Sequence, residues 1–266
     1  MSKVAIIQLP TLSMSEARID YYIKAVKDSG ASLVLLGEYV LNSFFTDLVK
    51  MPKAMINEQI LHKKSLFKQL ARRYDIDIIA PFIVQKNSGY VKGVMKFSPK
   101  SSRFVEQNFL INYNHWDEKS FFKNNSDKLK FLTFNYERFK VGVMCGLETH
   151  FDLSWDYMIR SKVDVVLVPT SSAFESSKRW ENLLSMRAFT NLCYVLRANR
   201  IGKTKISNDE VWDFYGDSFA ISPNGEISSR LDRDEGVLLF ELSKKELKDE
   251  RKLWKFREIL KDKDLI

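Results

Sequence analysis

The chain has 266 residues, with 42 lysines and arginines against 34 aspartates and glutamates, for a formal charge of +8. That length can bury a substantial core unaided, and two cysteines, Cys145 and Cys193, argue against a disulfide framework or a four-thiolate zinc site. We expect no metal and no cofactor, and thiols kept reduced in a cytoplasmic chain. The opening MSKVAIIQLP is too short an apolar stretch for a signal peptide, and no segment approaches the roughly 18 apolar residues that span a bilayer, so no membrane partner is expected. The excess of basic residues is scattered among acids, as in ELSKKELKDERKLWKFREILKDKD, which reads as a solvated helical face; we expect no nucleic-acid partner.

In chain order, KVAIIQL (3–9) is a short β-branched run, and Ser13 with Glu16 forms the pattern of a capping box opening a helix. Ile19, Tyr22, Ile23 and Val26 mark one face of that helix, Gly30 stops it, and ASLVLLGE follows as a strand apolar on both faces. Ile60, Phe67, Leu70, Ala71 and Tyr74 repeat the helical spacing before the strand DIIAPFIV. VKGVMKFS, PKSS and RFVEQNFLI predict a hairpin between about 90 and 111, so the sheet cannot be purely parallel. Strand and helix then alternate through FKVGVM, DLSWDYMIRS, VDVVLVP, SKRWENLLSMRAFTNL and CYVLRAN. A hairpin with Asn-Gly at its turn (SFAISPNGEISSR) and a strand (EGVLLFEL) come last. The alternation predicts an α/β fold, and with no linker or repeat in sight we expect a single domain over 1–266.

Several strands end in a polar residue, where α/β sheets place reactive groups: Glu38, Cys145, and Thr170 with Ser171 and Ser172. Cys145 has two explanations, a buried small hydrophobe or a nucleophile. Gly146 after it permits a tight turn and offers a backbone N–H to a developing oxyanion. Glu38 follows four apolar residues and a glycine, where desolvation raises a carboxyl pKa toward that of a general base; a buried ion pair explains it equally. His62 lies in a lysine-rich helix and reads as surface. His115 and His150 remain possible bases for the cysteine, though His150 reads more as a local hydrogen-bonding residue, so a cysteine–histidine dyad is the minor reading.

Taken together, VAIIQLP, LVLLGEYV, KVGVMCGLETHFD, VDVVLVPTSSAF, RWENLLSMRAFTNLCYVLRANRIG, YGDSFAISPNGEI and EGVLLFEL resemble, in order, the landmarks of the nitrilase superfamily, the carbon–nitrogen hydrolases. The resemblance implies a four-layer αββα sandwich, a homo-oligomer, and an amidase-like activity on a small-molecule amide or carbamoyl substrate. It implies Cys145 as nucleophile, Glu38 as general base, Glu118 as a second supporting glutamate and Gly146 N–H as an oxyanion donor. Tyr39, Asn114, Trp116, Thr170 and Phe174 accompany the site motifs and are candidate substrate contacts. The family's lysine should fall in FLINYNHWDEKSFF, but Asn112, Tyr113 and Asn114 occupy its place. Lys119 is the substitute we assign, with Lys123 as the other nearby amine. Should neither reach the cysteine, the chain would be a catalytically impaired member serving to bind a ligand or an assembly partner.

Overall fold

A computed structural model describes residues 2–125, 128–206 and 210–264. The first half runs β1 (Ser2–Gln8), α1 (Ala17–Asp28), β2 (Leu33–Leu36), α2 (Phe45–Lys50), α3 (Lys53–Tyr74), β3 (Asp77–Lys86), β4 (Gly89–Phe97) and β5 (Ser102–Glu106). A two-residue-per-strand hairpin, β6 (Asn112–Tyr113) and β7 (Trp116–Asp117), leads to β8 (Leu132–Tyr136), β9 (Phe139–Val143), α4 (Asp152–Arg160), β10 (Val165–Thr170), α5 (Ser177–Asn191) and β11 (Tyr194–Asn199). The chain closes with β12 (Ile201–Lys205), β13 (Val211–Tyr215), β14 (Phe219–Ile221), β15 (Ile227–Arg230), β16 (Gly236–Leu242), α6 (Lys244–Trp254) and α7 (Phe256–Lys261).

Two six-stranded sheets form, ordered β16-β1-β2-β3-β4-β5 and β15-β14-β11-β10-β9-β8. Each has a parallel centre, β1-β2-β3 or β9-β10-β11, extended by antiparallel strands. The predicted mixed sheet is therefore present twice. Strand alternation explains the layering, because successive side chains point to opposite faces. Ala5, Ile7, Val34 and Leu36 turn outward onto Ile19 and Ile23 of α1 and Phe67 and Leu70 of α3. Val4, Ile6, Leu33 and Leu35 turn inward and meet Val141, Val143, Val165 and Leu167 of the second sheet. Val166 and Val168 face out again, onto Trp155 and Met158 of α4 and Leu184 and Ala188 of α5. Three apolar interfaces between four layers make an αββα sandwich, as expected. Truncating a central residue such as Leu35 to Ala would cost about 2–5 kcal/mol.

One local expectation changes. The helix after β1 begins at Ala17, and its N-cap, Glu16, makes no side-chain cap hydrogen bond, so Ser13 is no capping residue. The Ser13 carbonyl instead accepts from the buried Lys63 ammonium. In addition, β3 and β4 pair antiparallel from Ile78 with Phe97 to Lys86 with Gly89, so that β4 sits beside the strand leading toward the site.

Candidate active site

Glu38 lies just past β2, where the first sheet presses against the second. A Cβ on Gly37 would stand 2.9 Å from the Arg200 backbone N and 3.1 Å from the Thr170 carbonyl oxygen, so only glycine allows this approach. The next N–H, that of Glu38, donates to Thr170 O at 3.0 Å. Tyr39 then takes a left-handed backbone (φ 57°), a conformation a non-glycine residue adopts at a cost of about 1–2 kcal/mol and one that tends to mark functional sites. Thr11 Oγ1 donates to the Tyr39 carbonyl at 2.7 Å and holds that turn.

Cys145 follows β9 and caps a short 3-10 helix, residues 146–150. The Glu148 backbone N–H donates to the Cys145 carbonyl at 2.9 Å, and the Glu148 carboxylate accepts from Cys145 N–H at 2.8 Å, a reciprocal arrangement that fixes the thiol's backbone. Glu148 also accepts from Asn108 N and Nδ2, each at 2.8 Å.

The amine at the site comes from neither Lys119 nor Lys123. Lys92, in the middle of β4, donates to Glu38 Oε2 at 2.9 Å and to Glu118 Oε1 at 2.7 Å. Its parity in the strand is that of Val94, which faces the second sheet, whereas Met95 and Phe97 face the helices. Lys119 is exposed in the turn that follows β7, while its neighbour Glu118 is buried. Lys123 is also exposed, donating to Ser120 O. The signal for Lys92 was faint: one charge within the apolar run YVKGVM, easily read as a solvated strand position.

Glu118 completes the group. Its Oε1 also accepts from the Tyr39 hydroxyl, its Oε2 from Ile111 N, and its backbone N–H donates to Ile111 O. The Lys92 ammonium lies 4.6 Å from the Tyr39 ring centroid. Glu38, Lys92, Glu118 and Cys145 expose only 4%, 2%, 0% and 0% of their surface. Burial raises the Glu38 pKa above the ordinary carboxyl range, with Lys92 opposing and Glu118 adding to the rise. Burial alone would lower the Lys92 pKa, but Glu118 and Glu38 outweigh it and hold the amine charged. Burial, then Glu38 and Glu148, push the Cys145 thiol well up, against the pull of Lys92. Burial and the two acids thus favour the neutral thiol over the thiolate.

The remaining candidates separate into two groups. Glu38, Trp116, Gly146, Thr170 and Phe174 line one cleft of about 430 Å³, a size suited to a small molecule. Tyr39 is buried behind the ion pairs, and Asn114 is exposed on the β6–β7 hairpin outside the cleft lining. Gly146 N–H is not free: it donates to Glu38 Oε1 at 3.0 Å. Among the described residues, no cluster of three or more His, Cys, Asp or Glu could hold a metal ion, and no helix is long and apolar enough to cross a membrane.

Known proteins share this fold. An N-carbamoylputrescine amidase of Solanum tuberosum is 22% identical over 91% of this chain and 85% of its own. An amidase of the nitrilase superfamily from Nesterenkonia AN1 superposes with a TM-score of 0.78 at 18% identity, over 95% of each chain. A glutamine-dependent NAD+ synthetase of Acinetobacter baumannii gives 0.80 at 22% identity over 92% of this chain, which spans 46% of that longer protein. The model of the carbon-nitrogen hydrolase family matches residues 3–252, and the chain belongs to that family.

Proposed function

We propose that the protein is a thiol-dependent amidohydrolase that cleaves the C–N bond of a small linear amide or N-carbamoyl compound. The observation that carries this reading is a lysine held between two buried carboxylates and near a buried cysteine, beside a cleft that Glu38 and Gly146 line. Glu38 takes the Cys145 thiol proton as the sulfur bonds to the substrate carbonyl carbon, and the carbonyl π pair moves onto oxygen. An ammonium has three donors, and Lys92 commits two of them to Glu38 and Glu118, which leaves one N–H for the oxyanion. Protonated Glu38 holds Gly146 N–H less strongly, so that donor can turn to the oxyanion as it forms.

Collapse breaks the C–N bond, and nitrogen leaves as ammonia or an amine with the proton from Glu38. Water then gives a proton to Glu38 and adds to the thioester. The C–S bond breaks, and the sulfur regains its proton. Glu118 and Tyr39 act through Lys92 by fixing its position and charge. What favours an active enzyme over an impaired one is that Lys92 supplies the cation missing at 112–114. The name of the potato relative supports carbamoyl compounds as candidates.

The test is a panel of linear amides, carbamoyl amines and nitriles, assayed for released ammonia or amine, with mass spectrometry of the peptide containing Cys145. Turnover with a transient acyl adduct on that peptide is expected. A folded protein showing neither across the panel would overturn the proposal.

A further inference from the structure

We propose that the cleft above Cys145 selects substrates whose far end is a carboxylate, and that Arg179 supplies the counter-charge. This rests on the hydrolase reading for the reacting end of the substrate and concerns only the other end. The charge inventory of the cleft wall is one-sided. Among the described residues Glu38 is its only carboxylate, already committed to Lys92 and to Gly146 N–H. The ammonium tail of a diamine derivative would therefore find no acid to pair with.

Arg179 lines the same cleft and is exposed. Lys178 and Arg230 pair with Glu181, and Arg187 pairs with Asp152, whereas the exposed Glu175 takes part in no ion pair among the described residues. Among the described residues Arg179 takes part in no ion pair. A guanidinium kept out of the surrounding ion pairs presents a planar fork that matches a carboxylate in two parallel hydrogen bonds.

A second, independent observation points the same way. Ser171 and Trp116 belong to the cleft wall and are 8% and 5% exposed, yet neither Ser171 Oγ nor Trp116 Nε1 has a hydrogen-bond partner among the described residues. Buried donors are normally satisfied, and these two, themselves closed to solvent, would gain a partner from an acceptor-rich ligand only if the side chains over them shifted. Cation, indole N–H and hydroxyl can all donate to an anion, and of the three only the hydroxyl could also accept from an ammonium.

The test uses three carbamoyl compounds of matched length: N-carbamoyl-4-aminobutanoate, N-carbamoylbutylamine and N-carbamoylputrescine. Each is assayed at low ionic strength with the wild type, Arg179→Ala and Arg179→Glu. Binding of each to Cys145→Ala, with and without Arg179→Glu, is measured by calorimetry. The wild type should prefer the carboxylate over the ammonium by about tenfold in kcat/KM, mostly through KM, with Arg179→Glu reversing the order. An ammonium-tailed compound preferred by the wild type, or an order indifferent to Arg179→Glu, overturns the proposal. If nothing is turned over, the hydrolase reading fails and calorimetry still decides this one. Carboxylate binding weakened by Arg179→Glu upholds it, and equal binding of all three compounds overturns it.

Discussion

Lys63 and Lys92 are equally hidden, at 0% and 2% exposure, and carry opposite electrostatic consequences. Lys63 sits on α3 with a single backbone carbonyl, that of Ser13, as hydrogen-bond partner, and burial brings its pKa down to about 8 despite the help of Glu16. Lys92 sits on β4 between two carboxylates that overcome the same desolvation and raise its pKa. Burial alone does not decide whether a lysine stays charged; the partners buried with it do. The first lysine is tolerated beneath a loop, and the second forms a charged centre next to a thiol.

The comparison breaks first at the thiol. If the charged centre exists to serve Cys145, Cys145→Ala removes turnover by roughly 10⁴-fold or more in a variant that keeps wild-type circular dichroism. Lys92→Met should lose about 10²–10³-fold in kcat/KM, the scale of one missing oxyanion donor. Because Lys92 holds the Glu38 pKa down, its loss moves the acid limb of the pH profile to higher pH. Glu38 and Glu118 are then left without a cation, and unfolding at neutral pH should become easier by about 3–5 kcal/mol, less so as acid protonates one of them. Lys119→Met, on the exposed side of the hairpin, should match the wild type in both assays. An equal loss from Lys119→Met would move the charged centre elsewhere.

Glu148 extends the contrast to a buried acid held only by neutral donors. Its pKa is raised to about 7 by burial, against the lowering effect of Asn108 and Cys145 N–H. Above the unfolded value near 4.5 and up to about 7, the folded state holds more protons than the unfolded one, so stability falls as pH rises through that window. Urea titrations of the wild type against Glu148→Gln should differ across it by up to about 3 kcal/mol, while a pH-independent difference would contradict the shift. Lys63 gives an effect of similar size and opposite slope. Its folded pKa lies below the ordinary 10.5, so wild-type stability should rise between about pH 8 and 10.5. Lys63→Met should lack that rise, retain activity, and be no less stable at neutral pH.

The apolar strands were legible because burial on both faces leaves no polar position to confuse the pattern, as in VAIIQ, LVLL and VVLVPT. Glu38 and Cys145 were legible as polar residues ending such runs. Lys92 was not, since its meaning depends on the pairing of β4 with β3 and on which face of β4 meets the second sheet, both set by tertiary structure. The Ser13–Glu16 pattern misled because the Ser13 carbonyl is tied to Lys63, with the helix starting only at Ala17. The β12–β13 hairpin, whose Trp212 packs on Trp116, also went unread: IGKTK and VWDFY carry mixed polar alternation, where only the pairing partner decides.

The most direct test of the central claim, that Lys92 makes Cys145 reactive, is the single-turnover rate of Cys145 acylation. It is read by rapid quench and mass spectrometry in the wild type and Lys92→Met. We predict an adduct on the Cys145 peptide that forms about 10²–10³-fold more slowly without Lys92. Acylation of Lys92→Met at the wild-type rate would contradict it.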